Sequence, residues 1–262
     1  MAHGFSLTRH DGLEQYAEAL VAAGAAVVVF DHRYLGDSGG TPRQRFRVEH
    51  QRQDYRAAVN YARRLDGVDG EQIIIWGFSF SGGTAVEVAA ADARIAGLIL
   101  LCPFLDGLAR VMKAAKSSPG LVAWILPRAL KDKIGAHTLI SVTGQPGEHA
   151  AMTFPGEAEG IAAAVASDSP WRNEISPGLF LTLALYRPVS RAARIGCPTW
   201  IGLGERDITV SNPASEKFAA ASPRAELHRY DVDHFGAFHE PAAEQIRADQ
   251  AEWLNHLTQP AR

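Results

Sequence analysis

The sequence has few cysteines, no long apolar run and no excess of charge of either sign. Its two cysteines, Cys102 and Cys197, lie far apart, which indicates buried small residues and not a disulfide framework. The longest apolar runs, near Ala22–Phe30 and Ile95–Leu105, reach about half of the ~20 residues that a membrane-spanning helix needs. The first ten residues, MAHGFSLTRH, lack the basic and apolar regions of a signal peptide. We therefore expect a cytoplasmic protein without a membrane partner.

The charge balance excludes the strongly basic class of nucleic-acid-binding proteins. The chain has 26 Lys and Arg against 29 Asp and Glu, a net charge of −3. One cluster of arginines is basic, but Glu49 and Asp54 interrupt it, so a solvated helix start is the favoured interpretation. The cluster consists of Arg43, Arg45, Arg47, Arg52 and Arg56. With 262 residues, the chain can form one large domain or a domain with a sizeable insertion.

Short apolar runs alternate with amphipathic stretches over most of the chain. The predicted strands are Ala26–Asp31, Ile73–Gly77, Gly97–Leu101, Thr199–Leu203 and Glu226–Tyr230. The first four are apolar on both faces, as strands of a buried parallel sheet are. The predicted helices are Gly12–Ala23, Glu49–Leu65, Gly82–Ala91, Pro213–Ala221 and Pro241–His256. This alternation predicts an α/β fold with a doubly wound, mostly parallel sheet.

Residues 104–197 interrupt this alternation. Helical patterns cover Leu105–Lys116, Gly120–Lys133 and Glu157–Val165, and a short apolar run covers Leu139–Thr143. A structureless loop of such length is rare inside a domain. We therefore predict a core formed by residues 1–103 and 198–262, with residues 104–197 as an inserted, mainly helical subdomain.

A serine follows the most apolar predicted strand. The stretch Ile73–Gly83 reads IIIWGFSFSGG, so Gly77-x-Ser79-x-Ser81 ends a strand and begins a helix. This is the G-x-S-x-G nucleophile elbow with serine in its last small position. A turn with helix-capping serines would give a similar pattern, so the motif alone leaves a structural role open. A reactive serine also needs a base and an acid that orients the base.

Asp207 and His234 can supply these two groups. Each follows the end of a predicted strand, and the order Ser, Asp, His is the order that this elbow requires. Because the carboxyl ends of parallel strands meet at one edge of the sheet, Ser79, Asp207 and His234 are expected to converge. The weaker candidates are Glu205 as the acid, Asp231 and Asp233 as residues that position the loop, His239 as the base and Ser81 as the nucleophile.

An acyl-transfer serine also needs donors for the oxyanion. The backbone N–H of Phe80, directly after the nucleophile, is the first candidate. The second is the N–H of Phe5 in the turn His3-Gly4-Phe5 near the start of the sequence. A disordered segment is the alternative interpretation of that turn.

The combined motifs resemble the α/β-hydrolase family. The resemblance depends on His3-Gly4-Phe5, on Asp31-His32-Arg33-Tyr34-Leu35-Gly36-Asp37-Ser38, and on the stretches GFSFSGG, GERD and VDHF. It implies a helical cap in the insertion, a serine esterase or lipase-like activity, Ser79, Asp207 and His234 as the triad, Phe5 and Phe80 as oxyanion amides, and no metal or organic cofactor. A small-molecule ester is the implied substrate.

The chain departs from this family at its start. Family members usually have further strands before the His-Gly turn, and the third strand lies between the fourth and the fifth. Ala26–Asp31 and Ile73–Gly77 would then lack a shared neighbour, and unpaired edges promote association. The two strands could close on each other, or a segment such as Leu139–Thr143 could fill the gap, or a second chain could cover it. We expect a homodimer with its interface at or near this side of the sheet.

We therefore predict a serine hydrolase that cleaves carboxylic esters. Hydrolysis of a thioester, an amide or a carbon–carbon bond by the same triad is the alternative within enzymes. A relative that binds ligands without catalysis is the alternative from another class.

Overall fold

The structure, a computed structural model that describes residues 1–258, contains six strands in two sheets. They are β1 (Ile73–Phe78), β2 (Ile95–Leu101), β3 (Ser141–Thr143), β4 (Ala150–Met152), β5 (Thr199–Gly204) and β6 (Ala225–Tyr230). The main sheet has the order β1-β2-β5-β6, and all of its pairings are parallel. Parallel neighbours need crossover connections, and helices supply them here. This arrangement confirms the predicted α/β fold with a mostly parallel sheet.

Within residues 1–258, eight α-helices accompany the strands. They are α1 (Leu13–Ala22), α2 (Val48–Ala62), α3 (Phe80–Ala89), α4 (Gly107–Ser117), α5 (Pro119–Lys133), α6 (Glu157–Ala164), α7 (Asn212–Ala221) and α8 (Ala242–Thr258). No helix within residues 1–258 combines the length and the apolar character that crossing a bilayer requires.

Helices cover both faces of the main sheet because successive strand residues point to opposite sides. On one face, Ile75, Leu98 and Ile201 pack with residues of α2, α3 and α7. On the other face, Trp76 and Trp200 pack with residues of α1 and α8. This double coverage explains why β1, β2 and β5 are apolar on both faces, whereas β6 at the edge of the sheet carries polar side chains.

The prediction of a strand at Ala26–Asp31 was wrong. These residues form no ladder, although they carry a β-branched run. The amino group of Met1 donates to the carbonyl of Val28 (2.7 Å), and the N–H of Phe30 donates to the carbonyl of Met1 (3.2 Å). Ala2 makes a single parallel bridge to Gly77. A strand needs a neighbour along its length, and only Met1 and Ala2 lie between this run and β1.

A groove of about 320 Å³ therefore opens between residues 23–30 and β1. Its walls are apolar and include Val27, Val59 and Ile74. The apolar run Leu139–Thr143 does not fill this gap, because β3 lies in the insertion, where Ser141 pairs with Ala150 of β4. That alternative was wrong.

The insertion covers the carboxyl edge of the main sheet. Phe80, Phe104 and Phe235, which follow β1, β2 and β6, share an apolar cluster with Ile125 and Leu183 of the insertion. The predicted helices correspond to α4, α5 and α6 within a few residues, but the insertion also contains β3, β4 and short 3-10 helices. The boundaries at residues 104 and 197 stay a prediction.

Candidate active site

Ser79 forms a sharp turn between β1 and α3. Its backbone has φ 52° and ψ −119°, a conformation that a non-glycine residue adopts only where the surroundings enforce it. The N–H of Phe104 donates to the carbonyl of Ser79 (2.7 Å), and the N–H of Ser79 donates to the carbonyl of Leu101 (3.0 Å). A Cβ on Gly77 would lie 2.6 Å from the carbonyl oxygen of Ser81. These contacts present the Ser79 hydroxyl at the carboxyl edge of the sheet.

The three predicted triad residues lie within hydrogen-bond distance of one another. Nε2 of His234 lies 2.9 Å from Oγ of Ser79, and Nδ1 of His234 lies 2.6 Å from Oδ2 of Asp207. All three residues are buried. The loops after β5 and β6 bring the acid and the imidazole to the serine, as the convergence of strand ends requires.

The hydrogen bonds assign the tautomer of His234. An ionised carboxylate only accepts, so the proton of the ring lies on Nδ1, and Nε2 is left to accept the Ser79 hydroxyl proton. Oδ1 of Asp207 also accepts from the N–H groups of Thr209 (2.8 Å) and Val210 (3.0 Å). Burial raises the pKa of Asp207, but the adjacent His234 and these amides outweigh burial, so the pKa lies below its ordinary value. The carboxylate therefore stays charged beside the ring.

The competing candidates lie elsewhere. Glu205 is exposed, and so is His239. The carboxylate of Asp233 accepts from the N–H groups of Phe235 (3.1 Å) and Gly236 (2.7 Å), which fits the predicted role of positioning the loop. Asp231 pairs with Arg206 on the surface. Among these candidate acids and histidines, only Asp207 and His234 form the hydrogen-bonded path that leads to Ser79.

The His3-Gly4-Phe5 turn packs against the nucleophile. A Cβ on Gly4 would lie 2.8 Å from Cβ of Ser79, so no larger residue fits at this position. Within residues 1–258, the N–H groups of Phe5 and Phe80 donate to no protein acceptor. Both amides are therefore available to a ligand, as oxyanion donors must be.

The ring of His3 holds this turn in place through two hydrogen bonds. The N–H of Gly4 donates to Nδ1 of His3 (2.8 Å), so Nε2 carries the proton and donates to the carbonyl of Asp11 (2.8 Å). Burial lowers the pKa of His3 to about 4. The ring is therefore neutral at neutral pH, and it stacks on Phe238 at 5.2 Å.

Ser81 has a role that the sequence interpretation missed. Its hydroxyl donates to the carbonyl of His3, so its oxygen accepts from Nε2 of His32 (3.2 Å). Burial lowers the pKa of His32, which keeps that ring neutral. Ser81 thus ties the elbow to the His3-Gly4-Phe5 turn. The signal was a serine at a position where the elbow pattern has glycine.

Three side chains of types that can bind a metal ion lie close together, and two of them belong to the predicted triad. Donor atoms of Cys102, Asp207 and His234 lie within 4.8 Å of one another. Burial, followed by the nearby Asp207, raises the pKa of the Cys102 thiol well above its ordinary value. Metal binding requires the thiolate. The group therefore fits a protonated thiol beside the acid better than it fits a metal site.

A small pocket lies inside the insertion between α4 and α5. It has a volume of about 90 Å³, and most of its lining is apolar, including Val122, Leu126 and Phe180. The ring of Phe180 lies 6.3 Å from the ring of Phe5. Arg110, which also lines the pocket, lies with Nη1 3.5 Å from the carbonyl of Thr209. The pocket wall therefore reaches both the turn that carries Phe5 and the loop that carries Asp207.

The cation of Arg110 is already compensated. It pairs with the buried Glu157 at 3.1 Å and stacks over the ring of Phe154 at 4.0 Å. The pocket is thus apolar in its interior, with a neutralised ion pair at its wall.

Comparisons with known proteins agree on one family. The family model described as "Serine aminopeptidase, S33" matches residues 1–246. The chain is 34% identical over 262 residues to the quorum-quenching protein AidA of Acinetobacter baumannii (strain MDR-ZJ06), and the match covers 98% of this chain and 85% of that protein. It is 35% identical over 146 residues to the thiohydrolase aneE of Aspergillus aculeatus (strain ATCC 16872 / CBS 172.66 / WB 5094), covering 56% of this chain and 44% of that protein. The solved structure of the α/β hydrolase GrgF from Penicillium sp. sh18 superposes with a TM-score of 0.82 at 21% identity, covering 98% and 88% of the two chains.

Proposed function

The chain belongs to the α/β-hydrolase family described as serine aminopeptidase S33, and from this premise we propose that it is a serine hydrolase that cleaves carboxylic esters through an acyl-enzyme on Ser79. The observation that carries the proposal is the continuous hydrogen-bonded path from Asp207 through His234 to Ser79. Each atom on this path has the donor or acceptor role that nucleophilic catalysis needs.

The proposed reaction uses groups of this chain only. Nε2 of His234 takes the Ser79 proton while Oγ attacks the ester carbon, and Asp207 stabilises the imidazolium that forms. The N–H groups of Phe5 and Phe80 are proposed to hold the oxyanion. The imidazolium then gives its proton to the departing alkoxide. A water molecule, deprotonated by the same ring, cleaves the acyl-enzyme and regenerates Ser79.

An apolar acyl group fits the surroundings best. The pocket between α4 and α5 is next to the Phe5 turn, and its wall offers no unpaired charge because Arg110 is neutralised by Glu157. Burying a charged substrate group there would be costly. The proposed substrates are therefore esters with a short to medium apolar acyl chain.

A thioester is the second candidate. The relative aneE is named a thiohydrolase, and the match to it covers 56% of this chain. The same attack and the same oxyanion amides would serve a thioester, and the better leaving group would lower the demand on the protonated ring.

For the compartment, we propose the cytoplasm, where the free Cys102 and Cys197 would stay reduced.

A matched pair of substrates tests the proposal. An oxygen ester and a thioester with the same acyl group should be compared by kcat/KM, in series from acetyl to octanoyl. The ester assignment predicts turnover of the oxygen ester that Ser79→Ala lowers by roughly four to six orders of magnitude. Turnover of the thioester alone would favour the second candidate, and turnover of neither would favour a ligand-binding role.

A matched pair of variants tests whether the acyl group binds in the pocket. Ala114 lines the pocket, whereas its neighbour Ala115 is exposed and does not. We expect Ala114→Phe to lower kcat/KM for octanoyl esters about tenfold or more with little change for acetyl esters, because the ring fills the cavity. Ala115→Phe should leave the chain-length profile unchanged. An equal loss for both acyl lengths in Ala114→Phe would place the acyl group elsewhere.

A further inference from the structure

Helices α4 and α5 expose large apolar side chains to solvent. Met112 is 64% exposed, Leu130 is 56% exposed and Ile134 is 77% exposed. Leu126, Leu130 and Ile134 are four residues apart on α5 and at its end, so they lie along one side of the helix. We name the exposed surface formed by Met112, Leu126, Leu130 and Ile134 the α4–α5 face.

The charge of this segment has the opposite sign to that of the whole chain. Residues 107–136 contain six of the 26 Lys and Arg but only one of the 29 Asp and Glu, so their net charge is +5 against −3 for the chain. The one acid, Asp132, is buried and pairs with Arg47 at 2.6 Å. Lys116, Lys131 and Lys133 are exposed. Over these residues the surface therefore presents cations and no carboxylate.

The α4–α5 face is continuous with the cap pocket. Leu126 is exposed and also lines the pocket between α4 and α5. Phe180, which also lines the pocket, lies with its ring 6.3 Å from the ring of Phe5. Apolar side chains thus extend from the protein surface through the pocket toward the turn beside Ser79.

We propose that the α4–α5 face binds the surface of an anionic lipid membrane. Exposed apolar side chains inserted at the headgroup boundary, with lysines around them, are the arrangement that an interfacial helix uses. A second copy of this chain fits the face poorly, since a symmetric contact through it would bring like charges together. The expectation of no membrane partner depended on the lack of a spanning segment, and surface binding needs none.

Vesicle co-sedimentation of the intact chain tests this proposal by binding and not by turnover, so its outcome is independent of the proposed hydrolase activity. The probes are phosphatidylcholine vesicles with and without roughly one third phosphatidylglycerol. We expect binding to the anionic vesicles that weakens as salt rises, and little binding to the neutral ones. No binding, or equal binding to both, would overturn the proposal.

Two sets of variants locate the contact. Replacing Lys116, Lys131 and Lys133 by Gln should lower the partition coefficient by about a hundredfold, because each lysine near an anionic surface contributes about a factor of five. Leu130→Ser with Ile134→Ser should also lower it by more than tenfold.

The control variants make the same kinds of substitution on other parts of the surface. Arg56, Arg64 and Lys217 are exposed, and their joint replacement by Gln should leave binding within about twofold, apart from a small general charge effect. Val21→Ser with Tyr61→Ser is the apolar control, since both residues are 55% exposed. An unchanged far-ultraviolet circular dichroism spectrum and melting temperature of Leu130→Ser with Ile134→Ser would show that the variant is folded. Losses in the control variants as large as those in the variants of the α4–α5 face, or conversion of a dimer to a monomer without loss of vesicle binding, would refute the assignment of this face.

Discussion

Acid should destabilise the folded chain through His3, whose ring supports the turn that carries Phe5. Nδ1 of His3 accepts the N–H of Gly4, so the ring cannot take a second proton without losing that hydrogen bond. Burial lowers the pKa of His3 from 6.5 to about 4. Between these two values the unfolded chain binds a proton at His3 and the folded chain does not, so the free energy of unfolding falls as the pH falls.

The magnitude follows from the size of the shift. Each pH unit within this window costs up to about 1.4 kcal/mol, so His3 alone removes about 3 kcal/mol between pH 6.5 and pH 4. Above pH 6.5 both states are neutral at this residue, and its contribution is constant. For a domain of ordinary stability this loss is a large fraction of the total.

Urea unfolding of the native chain and of His3→Gln, in steps between about pH 7.5 and pH 4.5, measures this contribution. The Gln amide can still donate to Asp11, but Gly4 loses its acceptor, so the variant should be about 1–2 kcal/mol less stable at neutral pH. Toward acid the native chain should lose about 2–3 kcal/mol relative to the variant, because only the native chain titrates at this position, so the variant should become the more stable of the two near pH 4.5. The pKa of His32, which burial also lowers, affects both proteins and cancels. A difference that stays constant over the whole range would refute this reasoning.

Further predictions concern the site and the open side of the sheet. Asp207→Asn should lower kcat by roughly three to four orders of magnitude, because the ring of His234 loses its orienting carboxylate. Asp233→Asn affects only loop amides and should lower kcat no more than about tenfold. Equal losses in kcat would contradict the assignment of Asp207 as the acid. Ser81→Ala should lower kcat about tenfold or more with little change in KM, since the carbonyl of His3 loses its donor, and a raised KM at unchanged kcat would count against this role. The value of kcat/KM should be higher at about pH 8 than at about pH 6, since a general base must be unprotonated to take the Ser79 proton, and a rate that falls over this range would be incompatible with His234 as the base. Light scattering should give a homodimer that Val27→Asp in the groove converts to a monomer, and a monomeric native chain at micromolar concentration would defeat the dimer.

Local patterns predicted the main sheet well where a strand has its neighbours. The runs at Ile73–Gly77 and Thr199–Leu203 became β1 and β5 with nearly the same ends, because each is covered on both faces and pairs along its length, β1 with β2 and β5 with β2 and β6. Ala26–Asp31 has an equally strong β-branched pattern but has only Met1 and Ala2 beside it. Propensity describes the strand itself, whereas a ladder depends on the backbone next to it.

The candidate site was predictable in its outline for the same reason. Ser79, Asp207 and His234 each follow a strand, so the parallel sheet alone was enough to bring them to one edge, and their catalytic roles stay predictions. The hydrogen bond from Ser81 to the carbonyl of His3 was not predictable, because it joins residues 78 positions apart whose contact depends on how one loop packs on one helix. The surface charge of α4 and α5 could be counted from the sequence, but which apolar side chains face solvent could not.

Covalent labelling tests the central claim most directly. The native chain should be treated with a fluorophosphonate, which reacts only with an activated serine, and the site should be read by mass spectrometry of the digested protein. We predict one label per chain on Ser79, its loss in Ser79→Ala and a strongly slowed reaction in Asp207→Asn. A label on Ser81, or no label on a folded chain, would contradict the account.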